Sequence, residues 1–212
     1  MRYLQLGKVY PLTSLDNRLG WSHVELVESY LQGGGRFFQV RDTSLSDSSL
    51  YQQLLEVRSL CDSLNAQFLI NNRVDLALAV QADGVHLGQN DLPVAAARRL
   101  LGKEALIGLS THNRDQFLKA QEQDIDYVAL GPLFPTSTKP TENPPVGVET
   151  LRALIAESQF PVVAIGGISL ERARELWTAG TYSVAVISDI TQSADPARRV
   201  AQYLNLAKVS SR

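Results

Sequence analysis

The sequence predicts an α/β protein, a single compact (β/α)8 barrel (the TIM-barrel architecture) spanning residues 1–212. Three observations carry that expectation. Short apolar runs alternate with longer helix-patterned stretches along the whole chain, with no linker between them. Most of the apolar runs are continuous, as in parallel strands covered on both faces. Eight such strand and helix pairs can be counted, and the chain sits at the short end of barrel lengths, so its loops must be tight. An open doubly wound sheet would have fewer strands and a nucleotide-binding glycine loop after the first. No G-x-G-x-x-G follows residues 9–12.

The elements follow in order. Residues 9–12 form the first strand. Ser22-His23-Val24-Glu25 reads as a capping box that opens a helix over 23–33, which Gly33-Gly34-Gly35 stops. Strand 37–41 leads to helix 46–65, strand 67–70 to helix 74–80, and strand 84–87 to helix 93–101. In the last of these Pro93 marks the start and Gly102 the stop. Strand 106–109 precedes helix 114–123, and strand 127–130 precedes helix 148–157. Between that pair lies a loop over 131–147 with prolines at 132, 135, 140, 144 and 145. Such a segment cannot continue a helix or a central strand, and a loop this long in a tight chain is either functional or a solvated surface. Strand 162–165 feeds helix 170–179, stopped by Gly180, and strand 184–187 feeds helix 195–206, where Pro196 sits at the start.

Composition narrows the function classes. The chain is 44% hydrophobic and 20% charged, ordinary for a globular protein. Lys and Arg number 20 against 22 Asp and Glu, so a net charge of −2 gives no electrostatic reason to expect a nucleic-acid partner. Cys61 is the sole cysteine, which excludes an internal disulfide and a thiolate metal cluster. Arg2, Gln5 and Lys8 break the opening residues into short apolar pieces unlike a secretory signal, and no uncharged run is long enough to span a bilayer. The expectation is a cytoplasmic protein with small-molecule partners and no membrane partner.

A barrel places its chemistry at the C-terminal ends of its strands. Polar residues collect there: Gln39 and Arg41; Asn71 and Asn72; His86 with Asp91 beyond it; Ser110 and His112; Gly166-Gly167; and Ser188. His86 has no Ser or Cys nucleophile spaced to use it and reads as a satisfied interior histidine. Asn71, Asn72, Asp91 and His112 also fit as helix-cap residues. Gly166-Gly167 would let the backbone approach a ligand closely, and with Ser188-Asp189-Ile190 it suggests a phosphate site after the seventh and eighth strands. Arg41, Lys139 and Ser110 suggest a second anion site, and Asp91 is the carboxylate placed to hold Mg²⁺ beside it.

These residues resemble the family of thiamine-phosphate synthase and its sister thiazole tautomerase over almost the whole chain. Phe38-Gln39-Val40-Arg41, Asn71-x-Arg73-Val74-Asp75 and Ala82-Asp83-Gly84-Val85-His86-Leu87-Gly88-Gln89 carry the likeness. So do the run from Gly131 to Lys139 (GPLFPTSTK), Ala164-Ile165-Gly166-Gly167-Ile168 and Val186-Ile187-Ser188. The resemblance implies joining of 4-amino-2-methyl-5-hydroxymethylpyrimidine diphosphate to 4-methyl-5-hydroxyethylthiazole phosphate, with release of pyrophosphate by a dissociative, Mg²⁺-assisted substitution. By position it implies Gln39, Arg41 and Thr43 at the pyrimidine diphosphate, with Asn71, Ser110 and Lys139 on its phosphates. Arg41, Ser110 and Lys139 would be the catalytic groups. Thr136, Ser137, Thr138, Gly167, Ile187 and Ser188 would hold the thiazole phosphate, and Asn72 and Asp91 the Mg²⁺. Two other members of the resemblance remain as alternatives: the tautomerase, and a binding relative without turnover. The tautomerases commonly carry an acid–base histidine at the position of Pro132.

Two positions depart from the family's synthases. Thr43 stands where they carry Lys, and Asn72 where they carry Asp as a second Mg²⁺ ligand. The paired change keeps local charge balanced but removes a diphosphate contact and a charged metal ligand, so it should either weaken Mg²⁺ binding and raise the diphosphate KM or abolish synthase activity altogether. Restoring both, with Asn72→Asp and Thr43→Lys, should raise kcat/KM about tenfold, the worth of one charge-assisted hydrogen bond. No gain in steady-state assays of the double variant would contradict this account.

Overall fold

The structure, a computed structural model, describes residues 3–15, 19–138 and 143–210. Eight parallel strands form one sheet in the order β1-β8-β7-β6-β5-β4-β3-β2. They are β1 (Val9–Pro11), β2 (Phe37–Val40), β3 (Gln67–Asn71), β4 (Gly84–Leu87), β5 (Leu106–Thr111), β6 (Tyr127–Leu130), β7 (Val162–Ile165) and β8 (Ser183–Val186). A parallel bridge between Leu12 and Gln39, with Thr13 N–H donating to Gln39 C=O at 2.9 Å, joins β1 to β2 and closes the barrel.

Helices alternate with the strands: α1 (His23–Gln32), α2 (Asp47–Leu64), α3 (Val74–Ala79), α4 (Val94–Leu101), α5 (Arg114–Ala120), α6 (Val148–Ala156), α7 (Leu170–Thr178), α8 (Ser188–Thr191) and α9 (Pro196–Ser210). The expected capping box at Ser22 and Glu25 is present. Ser46, Asn113 and Ser169 cap α2, α5 and α7 through their side chains. Among the described residues no helix is long and apolar enough to cross a membrane.

Continuous apolar strands follow from side chains that alternate between two cores. Phe38, Phe68, Val85, Ile107, Val128, Ala164 and Val184 point outward and pack under helix residues such as Leu54, Phe117, Leu154 and Leu176. Tyr10, Phe37, Leu69, Leu106, Tyr127, Val163 and Ala185 point inward and fill the barrel. Tyr10, Phe37 and Tyr127 make edge and tilted ring contacts, with centroids 4.8 to 6.4 Å apart. Cys61 lies on the buried face of α2, where burial pushes its thiol up to about 12, so it behaves as a small core hydrophobe.

Several boundaries differ from expectation. β2 ends at Val40, and Arg41 has already left the ladder. β3 and β5 run further, to Asn71 and Thr111, because polar residues at the strand ends still find ladder partners. Ile187 closes no strand. It takes φ −113°, ψ −86° and starts the one-turn helix α8. α5 stops at Ala120, followed by turn hydrogen bonds through Gln123.

The interior depends on one missing side chain. A Cβ at Gly108 would stand 2.1 Å from Cζ of Tyr127, so this glycine is the slot in which the tyrosine lies. Gly108→Ala should therefore cost about 3 kcal/mol of stability in urea denaturation, the upper range for overpacking. A loss below about 1 kcal/mol would mean that the ring has room to move aside.

Candidate active site

The C-terminal strand ends hold two groups of residues. The first lies around β6, β7 and β8. After β6 the chain runs alongside β7: Leu133 N–H donates to Ile165 C=O at 2.9 Å and Phe134 N–H to Gly166 C=O at 3.2 Å. Gly166 and Gly167 have φ of 98° and 64°. A Cβ on Gly166 would meet Pro132 at 2.6 Å, and one on Gly167 would meet Pro135 C=O at 2.5 Å. The glycine pair thus accepts the close approach of the proline-rich loop, and Gly167 also lines the cleft described next. Arg172 holds the same junction, donating to Gly167 C=O at 2.5 Å and lying 4.6 Å from the centre of the Phe134 ring.

This packing opens a cleft of about 410 Å³. Thr136, Ser137 and Thr138 line one side, Gly167 and Ser169 another, and Ser188 a third. Thr138 Oγ1 and Ser188 Oγ meet at 3.2 Å across it. Five of the six residues expected to hold a phosphate here share one wall-to-wall site, and the sixth, Ile187, is the residue from which α8 begins. Arg199 of α9 and Asp189 line the cleft as well, 3.4 Å apart, with Tyr203 donating to the Asp189 carboxylate at 2.7 Å. Sequence reasoning gave Arg199 no role. It sits in the first turn of α9 with no local motif, and only closure of the barrel returns that turn to the β8 end. A second cleft, at the opposite end of the barrel, is lined by Asp83 and Glu104 with no cation among its described residues, and does not suit an anion.

The second group lies at the ends of β2 to β5. Gln39 is 1% exposed and points into the barrel, with Nε2 donating to the Tyr10 hydroxyl at 2.8 Å. Ser110 Oγ lies 2.7 Å from His86 Nε2, and His86 Nδ1 lies 2.7 Å from the Tyr127 hydroxyl. His86 is thus satisfied on both nitrogens, as expected. Arg41 reaches Ser14 Oγ at 3.4 Å, and Thr43 is exposed beside it. Asn71 ends β3, paired in register with His86, and Asn72 follows with φ 65°. Neither asparagine caps α3, which starts after Arg73 without a side-chain cap. Asp91 is no helix cap either. Its Oδ2 accepts from Gly88 N–H at 2.6 Å and closes the loop after β4. His112 braces the strand ends, its Nδ1–H donating to Gly131 C=O at 2.6 Å. Lys139 lies outside the described residues.

The loop after β2 is anchored from below by a buried histidine. His23 Nδ1 lies 2.7 Å from Thr13 Oγ1, and Nε2 lies 3.1 Å from Asp42 Oδ2. Burial lowers the His23 pKa, and the Asp42 carboxylate offsets this only in part. Burial alone would raise Asp42, but N–H groups of Leu45 and Ser44 together with His23 hold its carboxyl below the usual range. A neutral His23 therefore donates from Nε2–H to ionised Asp42 and accepts from the Thr13 hydroxyl. Thr13 in turn accepts from Arg41 N–H at 3.2 Å, which sets where the arginine leaves the strand.

Comparisons with known proteins agree with one another. A profile of the family described as thiamine monophosphate synthase matches residues 9–190. The thiamine-phosphate synthase of Methanospirillum hungatei is 40% identical over 187 residues, covering 88% of this chain and 91% of that protein. That of Synechocystis is 42% identical over 201 residues, covering 95% of this chain but only 57% of the longer relative. The solved structure of thiamine phosphate pyrophosphorylase from Pyrococcus furiosus superposes with a TM-score of 0.87 at 32% identity, covering 96% of each chain.

His23 generates a pH dependence. Its folded pKa lies below the ordinary value of 6.5, so the unfolded chain takes up a proton that the folded protein refuses. Stability is full above that pH and falls as pH drops through it toward the folded value. Thermal melts should show the midpoint declining from about pH 6.5 downward, at up to about 1.4 kcal/mol per pH unit, and His23→Gln should flatten this slope. An unchanged slope in the variant would place the titration elsewhere.

Proposed function

The chain belongs to the thiamine monophosphate synthase family, and from that membership we infer that it is a transferase making thiamine phosphate from a pyrimidine diphosphate and a thiazole phosphate. The observation that carries this reading is the hydroxyl-lined cleft in which Thr136, Ser137, Thr138, Gly167 and Ser188 meet. Short hydroxyl side chains and glycine backbone suit a phosphate monoester on a small second substrate. Pro132, packed against Gly166, leaves no acid–base side chain where the tautomerase alternative needs one.

In the proposed reaction the bond from the pyrimidine methylene carbon to the diphosphate oxygen breaks first. Both electrons leave with the diphosphate, and the methylene cation is stabilised by the aminopyrimidine ring. The thiazole nitrogen then gives its lone pair to that carbon, so the products are thiamine phosphate and pyrophosphate. No side chain has to act as nucleophile or base. The work is to hold the thiazole nitrogen in line and to stabilise charge gathering on the leaving diphosphate. Arg41, Ser110 and Asn71 face that diphosphate in this reading, joined by Lys139. Gln39, whose amide oxygen is buried without a partner, faces the pyrimidine.

Mg²⁺ suits the oxygen donors present. Asp91 has one carboxylate oxygen committed to Gly88 N–H and the other left for a cation, and Asn72 adds a neutral amide oxygen. Among the described residues no cluster of three or more His, Cys, Asp or Glu could hold a metal ion alone. Such a sparse set fits an ion held chiefly by substrate phosphates and water, as Mg²⁺ commonly is. When bound, Mg²⁺ would neutralise the leaving diphosphate.

Purified protein given both substrates and saturating Mg²⁺ should form thiamine phosphate. Chelation with EDTA should abolish turnover, and Lys139→Ala should lower kcat by about 10²–10³, as for removal of one preorganised donor to developing charge. Binding of both substrates with no product would overturn the synthase reading in favour of a relative that binds without turnover.

A further inference from the structure

Five side chains from five strands form one hydrogen-bonded chain through the barrel: Gln39 of β2, Tyr10 of β1, Tyr127 of β6, His86 of β4 and Ser110 of β5. The Tyr10 and Tyr127 hydroxyls are 2.9 Å apart. The first four residues are at most 6% exposed, so each hydroxyl and ring proton among them must find its acceptor within the chain. That requirement fixes the direction of every bond.

The Gln39 amide nitrogen has no lone pair, so Tyr10 can only accept from it. The Tyr10 proton has one partner left, the Tyr127 oxygen. The Tyr127 proton then goes to His86 Nδ1, which must be bare. The ring proton of His86 therefore sits on Nε2 and is donated to Ser110 Oγ. Burial holds both tyrosines far above their usual titration range, so both stay phenols. One end of the chain is thus a bare acceptor, the unpartnered Oε1 of Gln39. The other is a spare donor, the half-buried Ser110 hydroxyl proton.

We propose that this chain is a polarity relay that couples recognition of the base to recognition of the diphosphate, with Tyr10, Tyr127 and His86 as positioning residues. It rests on the substrate assignment above. Gln39 offers its oxygen to the exocyclic amine of an aminopyrimidine, and Ser110 offers its proton to a diphosphate oxygen. Turning the Gln39 amide over, to suit an oxo-pyrimidine, would reverse every donor. The ring proton would move to Nδ1, Ser110 would donate inward, and at Ser110 the diphosphate would meet a lone pair in place of a proton. The relay therefore selects amino over oxo bases at a distance from the base itself.

Two measurements test it. In ¹⁵N spectra of ligand-free protein with labelled histidine, His86 should be the Nε2–H tautomer at neutral pH, assigned by its loss in His86→Asn. His112, which donates from Nδ1, supplies the opposite tautomer in the same sample. A His86 found as Nδ1–H or as imidazolium would overturn the proposal. In Tyr127→Phe the relay is cut, and the kcat/KM ratio for amino over oxo pyrimidine diphosphate should fall about tenfold or more, one hydrogen bond's worth. An unchanged ratio in a folded variant would also overturn it. Absence of turnover in the wild type would refute the assigned reaction instead, while the tautomer result stands independently.

Discussion

An eight-stranded barrel has an interior just wide enough for side chains to fill, and everything at this site follows from how it is filled here. Three aromatic rings, Tyr10, Phe37 and Tyr127, occupy the space that aliphatic layers would otherwise take. Rings of this size demand room, which Gly108 supplies. Two of them carry hydroxyls into a dry core, and a buried hydroxyl without a partner costs about as much as a lost hydrogen bond. Gln39, His86 and Ser110 are the answer to that demand. The polar residues at the C-terminal strand ends are thus the upper terminus of the core packing and are held with its rigidity.

The other half of the site has a different origin. The loop after β6 extends over the end of β7 because Gly166 and Gly167 leave no side chain in its way. Its hydroxyl residues come to rest opposite Ser188. Arg172 then pins the junction through Gly167 C=O and the Phe134 ring. Backbone geometry at two glycines therefore places three hydroxyl side chains.

Most of the fold was legible in the sequence because its physical cause is local. Parallel strands covered on both faces read as continuous apolar runs, and caps such as Ser22 with Glu25 sit beside the helices they start. Strand ends were less legible. Arg41, Asn71 and Ile187 lie where ladder pairing decides the boundary, and pairing depends on residues far away in the chain. Family resemblance brought out Gln39, Ser110 and the residues of the cleft, but the links between them stayed hidden. Tyr10 and Tyr127 are 117 positions apart and look like ordinary strand aromatics. Gly166 and Gly167 were read as room for a close approach, but a sequence does not say that the backbone of the loop after β6 is among what comes close. Asp91 and the asparagines looked like caps, and the structure uses Asp91 to tie a loop and leaves the asparagines at the strand end.

The closure between β1 and β2 has a consequence of its own. Where the other neighbouring strands pair over several residues, among the described residues this seam has one bridge, Leu12 with Gln39, beside bonds from Thr13 N–H to Gln39 C=O and from Arg41 N–H to Thr13 Oγ1. Gln39 therefore belongs at once to the substrate end of the core and to the thinnest join of the wall. A ligand that engages its side chain acts as a clasp on that join. If substrate binds there as proposed, holding it and keeping the barrel shut would be one linked equilibrium, in which occupancy would suppress breathing at the seam.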